Sequence, residues 1–410
     1  LLTGSLALPL AGLALAPSMS AGAQTPAPDP AIVAGNTAFA LDLYAELGAA
    51  AGGNLLFSPF SISQALAMTY AGAVGETAAQ MAATLGFDLP APALGEAFGR
   101  LNADLIARGA GGEGEGALRI ANALWGEQTY PFSEAFSAEL ERSYGAGLQE
   151  TDFAGAPEAA REEINAWVAE QTEDRIEDIV PEGVITELTR LVLANAIYFY
   201  GPWRDTFDSA ATEDDTFHLL DGGEVTVPFM FQQETFPYAA GDGWQAIELP
   251  YEQEGFAMTI LLPDEGTFED YEAGLDAETL DAALSQLDWR EMDLFFPKFQ
   301  FDFGASVADA LKALGMTDAF DGDRADFSGM VDGTPSEELA IGDVLHKAFI
   351  GVDEDGTEAA AATAVIVGPT SAAPPEDPLE VRVDRPFLFA IRDTVTGTLL
   401  FLGRVLDPSA

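Results

Sequence analysis

The segment Asp343–Val367, DVLHKAFIGVDEDGTEAAAATAVIV, constrains the fold of this chain more than any other. It opens as a buried strand and turns at an acidic corner containing Gly356. It then continues as a run of small uncharged residues into a Pro-rich stretch. From Glu354 to Arg385, 32 residues separate that strand from the next clear one. Structureless connections of this length are uncommon in compact domains and usually carry function. Thr357 and the run Ala359–Val367 also suit a strand, and a loop that can become a strand is a switch.

A switch of this kind needs a body to insert into. With 48% hydrophobic residues and 27 Phe in 410 residues, a large core is available in one piece. The chain has no Cys, which excludes disulfides, thiolate metal sites and thiol nucleophiles, so packing alone must hold it. Leu1–Ala16 is apolar and is followed by Ala21-Gly22-Ala23, the pattern of a secretory signal over residues 1–23 that is truncated at its start. Pro9 and Pro17 interrupt a stretch already short for a membrane span. The expectation is a secreted or periplasmic protein, free of the membrane after cleavage. Residues 24–31 read as a Pro-rich tether and 32–408 as one domain without a fixed-period repeat.

Sixty-eight acidic residues against 17 basic ones give a net charge of −51. Nucleic acid and anionic membranes would repel such a surface. The acid is spread along the chain, as in a solvated coat suited to a salt-rich habitat. Only Lys298, Lys312 and Lys347 are lysines, so each is expected to have a structural role.

Enzyme readings fail on inventory. His218 and His346 are the only histidines, and no G-x-S-x-G elbow or Gly-rich phosphate loop is present. His346 lies among Val344, Leu345, Phe349 and Ile350, the setting of a buried structural histidine. Asp318, Asp321, Asp323 and Asp326 resemble a loose calcium loop but lack its closing Glu. Nothing singles out a carboxylate pair for glycosidase chemistry. The chain therefore reads as a non-enzyme without metal or cofactor.

Periodicity and capping predict helices over Ala38–Leu47, from Ser58 with Pro59 at the first position, and over Glu76–Leu85, Ala93–Ala107, Ser133–Tyr144 and Pro157–Thr172. Shorter helices are expected at Phe268–Tyr271, Ala277–Leu287 and Ser306–Leu314. Strands are expected at Leu118–Gly126, over the apolar run LVLANAIYFY from Leu191, and twice within Trp244–Leu262 around Glu252–Gly255. One more spans Met292–Phe303, and Pro386–Arg392 with Thr398–Val405 forms a final hairpin. Helices lead and strands dominate later, so the class is α+β.

Five segments carry a resemblance. They are Asn54–Met81 (NLLFSPFSISQALAMTYAGAVGETAAQM), Leu191–Asp208 (LVLANAIYFYGPWRDTFD), Phe295–Phe303 (FFPKFQFDF), His346–Val367 and Asp384–Pro408 (DRPFLFAIRDTVTGTLLFLGRVLDP). In this order the chain resembles the serpins, the serine protease inhibitor family, over Ile32–Pro408. The resemblance implies a serpin fold of three β-sheets, eight or nine helices and an exposed reactive-centre loop over 354–380. It also implies suicide-substrate inhibition, in which a protease cleaves the loop, is acylated on it, and is carried along as the loop enters the large sheet.

An inserting strand must alternate faces. One face would carry Thr357, Ala359, Ala361, Thr363, Val365 and Val367, without charge, Gly or Pro. The other would carry Glu358, Ala360, Ala362, Ala364 and Ile366, and Gly356 would give the hinge freedom. On residues alone, an Ala-rich helix or solvated linker remains the alternative. By resemblance, Ser58, Ser61, Asn195 and His346 form the polar cluster that controls sheet opening. Trp203, Lys298 and Glu354 gather where the loop joins the sheet, with Lys298 and Glu354 as an ion pair. The same resemblance puts the scissile bond at Thr370-Ser371, within 367–373. No Arg, Lys or aromatic residue lies between Gly356 and Arg382, which favours an elastase- or subtilisin-like serine protease with a small pocket. The helix Ala93–Ala107 offers only Arg100 and nearby Arg108, so heparin activation is not expected, and a monomer is. A non-inhibitory serpin acting as a binding or storage protein is the other reading.

Overall fold

A computed structural model describes residues 29–109, 117–145, 147–333, 339–357 and 378–410. Among them are nine α-helices: α1 (Pro30–Ala50), α2 (Pro59–Tyr70), α3 (Gly75–Leu85), α4 (Ala91–Gly109), α5 (Glu134–Tyr144), α6 (Pro157–Gln171), α7 (Phe268–Ala273), α8 (Ala277–Ser285) and α9 (Ala308–Ala313). Local chemistry sets their ends. The Asp29 carboxylate accepts from the Ala31 amide with Pro30 in the first turn, so α1 starts inside the segment expected as a tether. The Ser58 hydroxyl accepts from the Ser61 amide at 3.2 Å and starts α2. Asp276 and Thr279 form a capping box on α8.

Six strands build the first sheet: β2 (Ala117–Glu127), β3 (Leu148–Thr151), β4 (Leu191–Pro202), β10 (Phe299–Ser306), β11 (Asp343–Val352) and β12 (Gly356–Thr357), in the order β10-β11-β12-β4-β2-β3. The other strands are β1 (Leu55–Phe57), β5 (Glu213–His218), β6 (Glu224–Gly241), β7 (Trp244–Pro250), β8 (Phe256–Pro263), β9 (Asp288–Pro297), β13 (Leu379–Arg382), β14 (Phe387–Asp393) and β15 (Leu399–Val405). They form one hydrogen-bonded path, β1-β15-β14-β8-β7-β6-β9-β13, with β5 beside β6. Along β6 the partner changes, from β5 at Glu224–Phe229 to β9 at Phe229–Tyr238 and then β7 at Tyr238–Gly241. This long strand thus joins two groups, and with the six-stranded sheet they make the three expected sheet regions.

The apolar run of β4 is buried on both faces, as its sequence demands. Leu191, Leu193, Ile197 and Phe199 join the main core. Val192, Ala194 and Ala196 join a second cluster with Ile164 and Val168 of α6.

Two expectations are corrected. The single strand predicted over Met292–Phe303 is two strands in different sheets. Pro297 has no amide hydrogen to continue the ladder and ends β9, and the Lys298 amide bonds to the Pro228 carbonyl as the chain crosses over. The expected loop 354–380 has strand at both margins, β12 at its start and β13 at its end. Its remainder, 358–377, lies outside the described residues. The strands β5 and β6, absent from the sequence expectations, carry acidic residues that mask their alternation.

Candidate functional site at the seam of the six-stranded sheet

Two neighbouring strands of this sheet, β4 and β11, run parallel and pair directly from Asp343↔Val192 to Ala348↔Ile197. Beyond that seam they diverge, and β12 fills the space. Thr357 pairs with Gly201 on one side and Val352 on the other, antiparallel to both. The chain leaving β11 has therefore turned back to place its first two residues between the strands.

Gly356 is required here by close approach rather than by freedom of rotation. A Cβ on it would lie 2.3 Å from the Gly201 carbonyl oxygen and 2.7 Å from the Pro202 Cα, backbone atoms that cannot yield. Thr357 is buried, and its hydroxyl lies 2.6 Å from that of Tyr251. Burial pushes the Tyr251 phenol far above its ordinary range, so it remains a neutral partner.

Around this corner the expected trio Trp203, Lys298 and Glu354 comes together. Trp203 is buried, stacks on Tyr251 at 4.8 Å with an 8° interplanar angle, and donates its indole N–H to the Asp353 carbonyl at 2.9 Å. The amides of Trp203 and Phe207 donate to the carbonyls of Asp355 and Glu354, both at 2.9 Å. Lys298 Nζ stands 2.5 Å from Glu354 Oε2, and the Thr212 hydroxyl donates to Glu354 Oε1 at 2.7 Å. Burial alone would raise the Glu354 pKa. Those two donors outweigh it and hold the carboxyl below its usual range. Asp353 differs, because burial pushes its pKa up although the amides of Asp355 and Gly356 donate to it at 3.0 and 3.3 Å.

A second polar group sits lower on the seam, where Asn195 of β4 pairs with His346 of β11. The Ser58 amide donates to His346 Nε2 at 3.1 Å, so the neutral ring carries its proton on Nδ1 and gives it to Asn195 Oδ1 at 2.6 Å. The Asn195 amide donates to the Ser61 hydroxyl at 2.6 Å, which passes its own proton to Asn122 Oδ1 at 3.0 Å. Asn122 of β2 then donates to the Ser61 carbonyl at 3.2 Å and to Gln64 at 2.9 Å. All six residues are buried. Burial pushes the His346 pKa down to about 3, so the ring is uncharged at neutral pH.

The four residues predicted for this cluster do meet, with Ser58 acting through its backbone and as the α2 cap. Sequence reasoning missed Asn122, Gln64, Thr212 and Tyr251. A polar Asn inside the apolar strand run Ile120–Leu124 was the one available signal for Asn122. Thr370, Ser371 and the hinge residues Glu358, Ala359, Ala360, Ala361 and Ala362 lie outside the described residues. Of the aspartates read as a loose calcium loop, Asp318 and Asp321 pair with Arg324 at 2.7 and 2.8 Å.

The serpin family of serine protease inhibitors matches residues 34–408. The chain belongs to the serpins. Leukocyte elastase inhibitors of pig and human are 41% and 39% identical to it, covering 92% and 91% of this chain and 99% and 98% of their own. Among solved structures, an Arabidopsis serpin in its native stressed conformation aligns with a TM-score of 0.81 at 31% identity, over 93% of this chain and 99% of that one. A highly specific serpin of the insect Tenebrio molitor aligns with a TM-score of 0.80 at 29% identity, over 92% and 98%. This serpin has its buried polar cluster and the two residues of β12 on one seam of the six-stranded sheet.

Proposed function

We propose that this serpin inhibits a secreted serine protease of small-residue specificity, elastase- or subtilisin-like, by offering Thr370-Ser371 as bait. The protease serine attacks the Thr370 carbonyl, an ester forms, and the chain beginning at Ser371 leaves as a free amine. The freed loop then continues β12 down the seam. The observation that carries this reading is β12 itself, two residues already paired with both flanking strands.

Extending that ladder without slippage gives a specific end state. Residue 363 would come level with Asn195 and His346, and residue 367 with Leu191, the first residue of β4. Thr363 is the only polar residue on the inward face beyond Thr357. Its hydroxyl would meet the polar cluster at the point where the Asn195–His346 bond must part. The uncharged face would meet the core residues Phe199, Ile197 and Leu193. Inhibition by homologues named leukocyte elastase inhibitors fits the same target class.

Both arginines of α4 are already engaged, Arg100 with Glu96 and Arg108 with Asp104 and Asp393, which supports action without heparin, and a monomer is part of the proposal. Export is part of the proposal, since a bait for secreted proteases is useful outside the cell. The test is incubation with pancreatic elastase or subtilisin. The expected result is an SDS-stable covalent complex and cleavage at Thr370-Ser371. Cleavage without a complex, and without a rise in melting temperature, would instead support the non-inhibitory reading.

A further inference from the structure

The start of β9 breaks its own pattern. The alternate residues Met292, Leu294 and Phe296 are fully buried on the face that packs on the core. The next position on that face, toward the beginning of the strand, is Arg290, in register with the buried Phe236 of β6. A cation thus stands where the alternation calls for an apolar side chain. Among the described residues it is also the one lysine or arginine with no hydrogen bond, ion pair or ring contact of its own. In a chain with 68 acidic residues against 17 basic ones, an arginine without a carboxylate partner is the exception.

Arg290 lines a groove of about 700 Å3, a volume in the range of small-molecule sites. Tyr238 of β6, Gln286 after α8, Asp288 of β9, and Pro378 and Leu379 at the start of β13 line it as well. Leu379 is in register with Met292, so it shares the face of Arg290, and it is 40% exposed although apolar. Tyr238 is in register with Asp288, and its hydroxyl donates to Gln245 Oε1 at 3.2 Å. Its hydrogen-bonding capacity is thus partly met within the sheet, and its ring is half-buried apolar surface. No residue of the β4–β11 seam lines the groove.

This combination selects a chemical class. A free guanidinium presents a planar fork of donors that matches a carboxylate. Leu379, Pro378 and Tyr238 supply apolar contact beside it. Asp288, two positions away on the same face, opposes a second negative charge, which disfavours dianions such as phosphate esters. We propose that this groove binds an amphipathic monocarboxylate, its carboxylate on Arg290 and its apolar body against Leu379, Pro378 and Tyr238. The net charge of −51 repels anions in general, so affinity must come from this local fit rather than from long-range attraction. The site is independent of the insertion reading and stands whether or not the protein inhibits a protease.

The test titrates the full uncleaved chain with a dansyl-labelled undecanoic acid and with its uncharged methyl ester, followed by dansyl fluorescence. The acid should bind saturably to the wild type. Arg290→Gln should weaken the acid about tenfold and leave the ester unchanged. Leu379→Asp, at an exposed position that the fold tolerates, should weaken both probes about tenfold or more. Arg100→Gln makes the same change of net charge on α4 and should alter neither. Failure of the acid to saturate the wild type overturns the site. Unchanged binding of the acid by Arg290→Gln does the same, as does equal weakening of the ester. A loss in Arg100→Gln equal to that in Arg290→Gln would trace the effect to overall charge, and unchanged binding in Leu379→Asp would place the ligand elsewhere; either result overturns the proposal.

Discussion

His346 sits at the centre of the seam, where one ring ties three elements together. It accepts from Ser58 at the start of α2, belongs to β11, and donates to Asn195 of β4. His346→Leu would leave the Ser58 amide and Asn195 Oδ1 buried without partners, and is expected to cost about 2–4 kcal/mol in denaturant unfolding. The ring is neutral when folded, with its pKa near 3, whereas in the unfolded chain it titrates near 6.5. Its folded pKa is depressed, so its contribution is whole above about pH 6.5 and declines as pH falls, by up to about 1.4 kcal/mol per unit. Unfolding curves between pH 7 and 4 should show that slope in the wild type, and its reduction in the leucine variant.

Asp353 behaves in the opposite sense to its neighbour Glu354. Its pKa is raised in the fold, so the ionised carboxylate costs stability at neutral pH, and that cost disappears as pH falls below the unfolded value near 4. Asp353→Asn keeps an acceptor for the amides of Asp355 and Gly356. It should stabilise the uncleaved protein by up to about 1 kcal/mol at pH 7 and by nothing near pH 3. Lys298→Met acts through Glu354, whose depressed pKa gives stabilisation that is present at neutral pH and lost on acidification. Lys298 is about one-third exposed, so solvent screening limits the loss to about 1 kcal/mol.

At the level of elements, β12 concentrates the prediction. Thr357 is buried, so if the loop inserts as proposed, Thr357→Arg should convert an inhibitor into a substrate, while Glu358→Arg, which alternation would put on the opposite face, should be tolerated. Equal inhibition of elastase by both variants would refute the facing. Much of this is legible in the sequence. Ser58-Pro59 announces α2 and LVLANAIYFY announces a doubly buried β4, whereas the run after Gly356 leaves an Ala-rich helix or linker open on residues alone. Illegible are features set by partners distant in sequence. Asn122 meets Ser61 across 61 positions, and Tyr251 meets Thr357 across 106. The split of Met292–Phe303 between two sheets is hidden because continuous apolar character does not record which sheet a strand joins. Gly356 suggests a free hinge when only its neighbours in sequence are considered, yet the backbone of Gly201 and Pro202 leaves it no room for a side chain.

Across the whole molecule, a net charge of −51 acts on every rearrangement at once. Like charges on a compact surface oppose folding. Raising ionic strength from about 0.01 to 0.15 M shortens the screening length from about 30 to 8 Å, and the melting temperature of the uncleaved protein should rise accordingly. Calorimetry across that range checks it, and a flat response would show that self-repulsion of the acidic surface does not limit stability.

The two residues of β12 bear on speed as well as on geometry. The costly part of forming a new strand is bringing distant segments into a first correct contact, because that is where loop-closure entropy is lost. In this chain that nucleus exists before any protease arrives. On the proposed mechanism, cutting the loop would let the strand elongate from a fixed end, one rung after another. A one-residue slip would turn Thr357 away from Tyr251 and reverse every later side chain. On that mechanism the loop would have no register to search for, and would compete with release of the bound protease from an advanced starting position.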